Sequence, residues 1–280
     1  MREQSKLKFD TIGYWTEVKL DIIKEYASAY STILAAQTNP SLYHVYTDGF
    51  AGAGMHISRR TESFVPGSPV NALSIQPPFR EYHLIDLDRR KASSLRKMVG
   101  NQQNVHVYEG DCNTILLERV FPQVTWGDFR RGLCLLDPYG LHLTWQVIET
   151  AGRMQSIEVF LNFPVSDMNR NVLWHDPIRV DPSDLERMNA FWGDESWRET
   201  AYTTDRDLFG LTEKETNEIV AEGFRKRLHE KAGFTYVPEP LPMRNSRGAI
   251  VYYLFFASQK PVARKIVEDI FKKYEKRGMN

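Results

Sequence analysis

Short apolar runs alternate with helical segments through residues 14–163, a glycine-rich loop follows the first of those runs, and the pattern changes after Phe163. Together these predict a doubly wound α/β fold with a mostly parallel, seven-stranded sheet, a helical insertion and a C-terminal antiparallel hairpin. Residues 14–36 read as a helix because Trp15, Val18, Ile22, Ile23, Tyr26, Ala27 and Tyr30 share one stripe that can pack on the sheet. Five runs rich in β-branched and aromatic residues, 43–48, 82–87, 105–109, 132–137 and 157–163, read as buried strands, with helices at 89–99 and 143–154 between them. Gly67-Ser68-Pro69 marks a further helix start, with Ser68 as cap and Pro69 in the first turn, so residues 55–66 read as a 12-residue loop. Residues 164–232 are polar, helix-rich and punctuated by Asp176-Pro177 and Asp181-Pro182, with Trp174, Trp192 and Trp197 as apolar anchors; they read as the insertion. Residues 234–241 and 249–257 are apolar runs on either side of a turn-rich segment, Pro242 to Gly248, which is the composition of a hairpin. An amphipathic helix over 260–276 closes the chain. No repeat or linker is present, so residues 1–280 read as one domain with 164–232 embedded in it.

Composition narrows the function classes. Hydrophobic residues are 42% and charged residues 26%, a globular profile that excludes disordered, collagen-like and coiled-coil chains. Lys plus Arg and Asp plus Glu are both 36, so net charge gives no whole-molecule grip on nucleic acid or an anionic membrane, although a local patch stays open. Cys112 and Cys134 form no CxxC pair, and the seven histidines include no i, i+4 pair and no HExxH, so neither a disulfide nor a metal is expected. Residues 1–10 are polar and no stretch approaches the ~20 apolar residues of a membrane span, which predicts a cytoplasmic protein.

The most informative segment is Asp48-Gly49-Phe50-Ala51-Gly52-Ala53-Gly54, a strand end running into glycines. Such a loop, at the carboxyl end of a central strand, is where α/β sheets bind nucleotides. A dinucleotide fingerprint needs glycines at i, i+2 and i+5, and neither Gly49 nor Gly52 starts one; no GxxxxGK[ST] is present either. An acid followed by glycines at i+1, i+4 and i+6 resembles the first motif of class I S-adenosylmethionine-dependent methyltransferases. That resemblance implies a Rossmann-like fold in which the loop turns around the methionine part of the cofactor and Asp48 helps hold its amino group. Asp86 closes the second strand, where a carboxylate can accept both ribose hydroxyls; Asp88 is the alternative acceptor or the cap of the next helix. Asp111 and Cys112 follow the third strand, where the family keeps an acid at the adenine amino group and a backbone amide at the ring; capping of 112–117 is the other reading of Asp111, and a small buried residue the other reading of Cys112.

Asp137-Pro138-Tyr139-Gly140 ends the fourth strand, and nitrogen-directed methyltransferases carry [DNS]PP[YFW] there. Their acid and a proline carbonyl accept from an amine while the aromatic stacks on its ring. Here one proline stands in place of two, and Asp137 is the leading catalytic candidate with Pro138 and Tyr139 beside it. Methyl transfer is an in-line displacement that needs mainly alignment and desolvation, so no strong base is required.

Tyr14-Trp15-Thr16 with Lys19, the glycine loop, Gly67-Ser68-Pro69, Asp137 to Gly140, Asn162-Phe163-Pro164 followed by Asp167-Met168-Asn169-Arg170, and Phe255-Phe256-Ala257-Ser258 are together similar to the three-Cys-motif partner (TcmP) family over about residues 9–275. The resemblance implies a bacterial or phage protein with S-adenosylmethionine as cofactor and a three-cysteine, iron-sulfur type protein as genetic partner. For the acceptor, Arg59 and Arg60 could bind phosphate as forked donors or be a solvated loop. Lys19 could reach a cofactor or substrate anion, and Asn162 could orient the acceptor or simply cap a strand end. Three functions remain open at this point: methyl transfer to a nucleobase or other amine, a cofactor-binding scaffold for the three-cysteine partner, and, more weakly, modification of nucleic acid held by the Arg59 and Arg60 loop, for which binding should fall with salt.

Overall fold

The computed structural model describes residues 9–174, 179–206 and 212–277; Met1 to Lys8 of the polar N-terminus, and His175 with Asp176-Pro177, lie outside the described residues. Seven strands line up in one mixed sheet, β11 (Leu241–Arg244), β12 (Ile250–Ala257), β8 (Ile157–Phe163), β7 (Arg130–Leu136), β2 (Tyr43–Asp48), β5 (Glu81–Asp86) and β6 (Val105–Glu109) in that order. The α/β class with a C-terminal antiparallel strand pair is therefore as the alternation predicts. The described residues up to 135 together with those from 269 on, and the described residues of 136–268, form two compact units.

In the first unit β7, β2, β5 and β6 are parallel neighbours. Helices α1 (Tyr14–Ala35) and α3 (Arg89–Val99) accompany them, and the stripe expected on α1 is buried at Val18, Ile22, Ile23, Tyr26, Ala27 and Tyr30. Tyr30 stacks on Phe79 at 5.9 Å, and Phe79 meets Tyr46 and Tyr82 edge-on at 5.5 and 5.8 Å, so helix and sheet share an aromatic core.

Residues 55–66 are not a plain loop. They form β3 (Met55–Ser58) and β4 (Phe64–Pro66), antiparallel to each other, with β1 (Thr11–Ile12) parallel to β3. Ser58 turns the chain, its hydroxyl accepting the amides of Arg60 and Thr61, each at 3.2 Å. The cap of α2 (Ser68–Leu73) is Gly67 rather than Ser68. A Cβ at Gly67 would sit 2.9 Å from the carbonyl oxygen of Gly54, to which Gly67 donates its amide at 2.8 Å, so close backbone approach demands the glycine.

At the amino ends of these strands Glu81 is buried between an arginine and two histidines. Its Oε1 lies 3.2 Å from His83 Nε2 and 3.3 Å from His106 Nε2, and its Oε2 takes the guanidinium of Arg130. His83 and Arg130 pull the carboxyl from 4.5 down to about 2, against the opposing effect of burial. A depressed carboxyl stabilises the fold above its unfolded value and loses that contribution as pH falls from about 4.5 to about 2. Glu81→Gln is thus expected to cost up to about 3 kcal/mol at pH 7 and little near pH 2; a pH-independent difference in urea midpoints would contradict this.

In the second unit β12 runs antiparallel to both β8 and β11. The hairpin is shifted from its expected place: residues 242–244, read as turn, join Leu241 as the first strand, and of 234–240 only Tyr236 makes a bridge, an isolated one to Ser258. Pro238 and Pro240 remove ladder donors from the expected strand, while Pro242 is tolerated at the sheet edge. The segment read as a helical insertion holds α6 (Val165–Asn171), α7 (Pro182–Trp192), α8 (Trp197–Ala201) and α9 (Asn217–Glu230), with Trp192 and Trp197 buried as expected. It also carries an unexpected antiparallel pair, β9 (Tyr202–Arg206) and β10 (Thr212–Lys214).

Candidate functional site

In the first unit the strand order reverses at β2, whose neighbours β5 and β7 lead in opposite directions, and a ligand crevice forms outside the carboxyl ends at such a switch point. Here β2 passes into the glycine loop. Gly49 donates its amide to Leu135 O at 2.9 Å and Ala51 donates to Ile85 O at 2.8 Å, which ties the loop to the ends of both neighbouring strands. Asp48 is fully buried beneath it, with Oδ1 accepting the Phe50 amide at 3.1 Å.

The two later glycines do different things. Gly54 (φ +87) lets α3 approach, since a Cβ there would lie 2.9 Å from Met98 Sδ. Gly52 (φ +66) has no heavy atom within 4 Å of a built Cβ, so the backbone is open at this glycine. Gly52→Ala therefore meets no clash but forces a left-handed alanine, costing about 1–2 kcal/mol; thermal unfolding of the variant measures that cost.

Asp86 is the centre of the site. Its Oδ2 accepts the Gly52 amide at 2.8 Å and its Oδ1 accepts the Asp88 amide at 2.8 Å, while its backbone carbonyl accepts from Gly110 at 3.1 Å. One residue thereby joins the loop after β2 to the ends of β5 and β6. Burial raises its carboxyl above the usual aspartate value, opposed by those two amides. Each oxygen still has a lone pair to offer a ligand hydroxyl.

The other acids are engaged more locally. Asp88 caps α3 through the Arg90 amide at 2.7 Å. Asp111 is exposed and caps α4 (Cys112–Ile115), accepting the Thr114 amide and hydroxyl, each at 3.0 Å. Cys112 is buried, and burial pushes its thiol up to about 12, which makes it a packing residue with no thiolate chemistry near neutral pH. Asp48 and Asp86 thus meet at one loop, whereas Asp111, one strand farther on, serves its own helix.

Sequence reasoning passed over Leu87, which it counted within a strand; the side chain is 75% exposed between Asp86 and Asp88. An apolar residue flanked by two acids at a strand end was the available signal. Lys19 is buried along α1. Arg59 and Arg60 are exposed at the β3–β4 turn, with Arg60 3.9 Å from Glu17 and 5.9 Å above the Tyr14 ring.

In the second unit Asp137, Pro138 and Tyr139 follow β7, with Pro138 buried and the Tyr139 ring 67% exposed. Gly140 (φ +64) lies under Asp167: a Cβ there would be 2.6 Å from Asp167 Oδ2, while Asn171 Nδ2 donates to Asp167 Oδ1 at 3.0 Å. Asn162 is buried at the end of β8, and its Oδ1 has no hydrogen-bond partner among the described residues. Among the described residues no group of three His, Cys, Asp or Glu is arranged to hold a metal, and no helix is long and apolar enough to cross a membrane.

No family model matches the chain, and a search of curated proteins finds no match. Among solved structures, protein LPL1258 of Legionella pneumophila is similar at 13% identity, covering 91% of this chain and 92% of that one with a TM-score of 0.48. A SAM-dependent methyltransferase of Leishmania major is similar at 9% identity over 87% and 82%, TM-score 0.37. The plantazolicin methyltransferase BamL, in complex with a triazolic desmethylPZN analog and SAH, is similar at 10% identity over 88% of each chain, TM-score 0.35. The fold assignment rests on strand order and direction, not on these likenesses.

Proposed function

We propose that the protein is an S-adenosylmethionine-dependent methyltransferase of the three-Cys-motif partner type. The observation that carries this reading is the latch of Asp86 on the Gly52 amide, which holds the open backbone at Gly52 beside a buried carboxylate at a switch point. The residues present fit the cofactor. Asp86 has lone pairs left for two ribose hydroxyls, exposed Leu87 offers apolar cover to a purine, and Gly52 leaves room for the chain that joins them. Asp111 stands at the next strand end, where the resemblance places the adenine amino group. Asp48, being buried, acts by shaping the loop through Phe50. When bound, S-adenosylmethionine supplies an electrophilic methyl group on a sulfonium.

For the acceptor we assign Asp137, the Pro138 carbonyl and Tyr139. The first two accept hydrogen bonds from an amine, and the exposed ring of Tyr139 stacks on the group that bears it. A second reading is favoured by Gly140, which stands after Tyr139 with Asp167 packed on it: a cofactor-binding partner subunit of a three-cysteine iron-sulfur protein, without methyl transfer of its own.

Incubation with methyl-tritiated S-adenosylmethionine and fractionated cell extract separates the two. Methyl transfer predicts label in one macromolecular or small-molecule fraction, and at least a 100-fold fall for Asp137→Ala with affinity for S-adenosylhomocysteine unchanged. Cofactor binding without label in any fraction supports the second reading.

A further inference from the structure

At the amino ends of the parallel strands, away from the glycine loop that follows their carboxyl ends, the first unit carries a second cluster that the methyltransferase reading does not use. Three aromatic side chains are exposed there: Tyr43 (36%), Trp126 (44%) and Phe129 (48%). They are physically joined. Tyr43 donates its amide to Phe129 O at 3.0 Å, Phe129 donates to Trp126 O at 3.1 Å, and the Tyr43 hydroxyl reaches Arg80 O at 3.4 Å. Two of the rings are backed by guanidinium groups. Arg131 lies 3.5 Å from the centroid of Trp126 and donates to the carbonyls of Trp126 and Arg130, while Arg130 lies 4.3 Å from the centroid of Tyr43 and is anchored on Glu81. Both rings thus stay partly exposed with a cation seated over them.

Phe129 adds an independent observation. Its φ is +55, the left-handed region that suits glycine and disfavours a bulky side chain, yet its ring is half exposed and so adds little to the core. An exposed aromatic held in a costly conformation points to a ligand. Arg80, Arg130 and Arg131 supply the charge. Glu81 is buried and taken by Arg130; Asp128, exposed and accepting from the Thr125 hydroxyl at 2.5 Å, keeps one negative charge beside the three arginines; neither Arg80 nor Arg131 has a carboxylate partner among the described residues.

We propose that this surface binds single-stranded nucleic acid, with bases stacking on Trp126, Phe129 and Tyr43 and phosphates meeting Arg80 and Arg131. Flat rings with forked cations suit bases and phosphates, since every base presents a π-face and guanidinium groups match phosphate oxygens. The core of a protein interface would bring aliphatic side chains as well; the large exposed residues here are all aromatic. The site is separate from the proposed cofactor site and does not depend on it.

The test is fluorescence anisotropy of the whole protein with labelled 15-nucleotide oligo(dT) and oligo(U), and a duplex of equal length, at several salt concentrations. Single strands are expected to bind more tightly than the duplex and more weakly as salt rises. Trp126→Ala and Arg80→Ala should each lower affinity about tenfold. Phe129→Gly should also lower it while leaving the thermal midpoint undiminished, because glycine relieves the left-handed backbone. Titration with S-adenosylhomocysteine should be unchanged in all three, so this site and the cofactor site can fail separately. Absence of binding to 100 μM single strand at 50 mM salt would overturn the proposal. So would binding indifferent to Trp126→Ala and Phe129→Gly, or a preference for the duplex.

Discussion

Asp86→Ala is expected to weaken binding of S-adenosylhomocysteine about 100-fold or more. The carboxylate is assigned two tasks there, and the substitution removes both. Two hydrogen bonds from ribose hydroxyls to a charged acceptor are each worth roughly 1.5–3 kcal/mol. The same change strands the amides of Gly52 and Asp88, now held at 2.8 Å each, and releases the glycine loop. A stability loss of about 1–3 kcal/mol should accompany the loss of affinity. Asp86→Asn separates the tasks, because the amide oxygen can still accept one of the backbone N–H groups while its NH2 cannot accept the other. It should fall between the two proteins in both calorimetry and thermal unfolding. Burial raises the Asp86 carboxyl, so affinity should begin to decline at a higher pH than an ordinary aspartate would give. Affinity that is level through the acid range would show that Asp86 does not touch the ligand.

Phe224→Ala should be the most damaging single substitution in the second unit, at about 3–5 kcal/mol. The ring sits on α9, is fully buried, and lies at the centre of an aromatic cluster. Its centroid is 4.7 Å from Phe163, 5.5 Å from Phe191, 5.3 Å from Trp192, 5.6 Å from Phe255 and 6.0 Å from Trp145. These neighbours come from β8, α7, β12 and α5 (Trp145–Met154), so no one element can move to fill the void. Removal leaves a cavity that dense packing around it cannot close. Phe224→Leu, which keeps most of the volume, should cost less than half as much. Denaturant unfolding of the two variants measures this, and equal losses would mean that the ring's shape, rather than its volume, holds the cluster.

What the sequence made legible follows from signal length. β2, β6, β8 and α3 fall on the expected residues because each is a continuous run with turn or cap residues at its ends, such as Asp88 before α3 and Gly100 after it. The sheet of β1, β3 and β4 was not legible, since strands of two, four and three residues leave no period to read. The C-terminal hairpin was displaced because apolar content drew the strand into 234–241, where prolines forbid a ladder and leave it to 241–244. At the site, the acids and glycines were visible as types at strand ends. Their division of labour was not: that Asp86 reaches Gly52, 34 residues away, depends on β5 lying beside β2, which no local pattern encodes. Leu87 was hidden for the opposite reason, because an apolar residue at a strand end looks like more strand.

Calorimetric titration of the unmodified protein with S-adenosylhomocysteine tests the central claim most directly. A latched glycine loop, open at Gly52 and built for that nucleoside, predicts one site per chain with micromolar or tighter affinity, lost in Asp86→Ala. No heat of binding up to millimolar ligand, from protein shown to be folded, would contradict it.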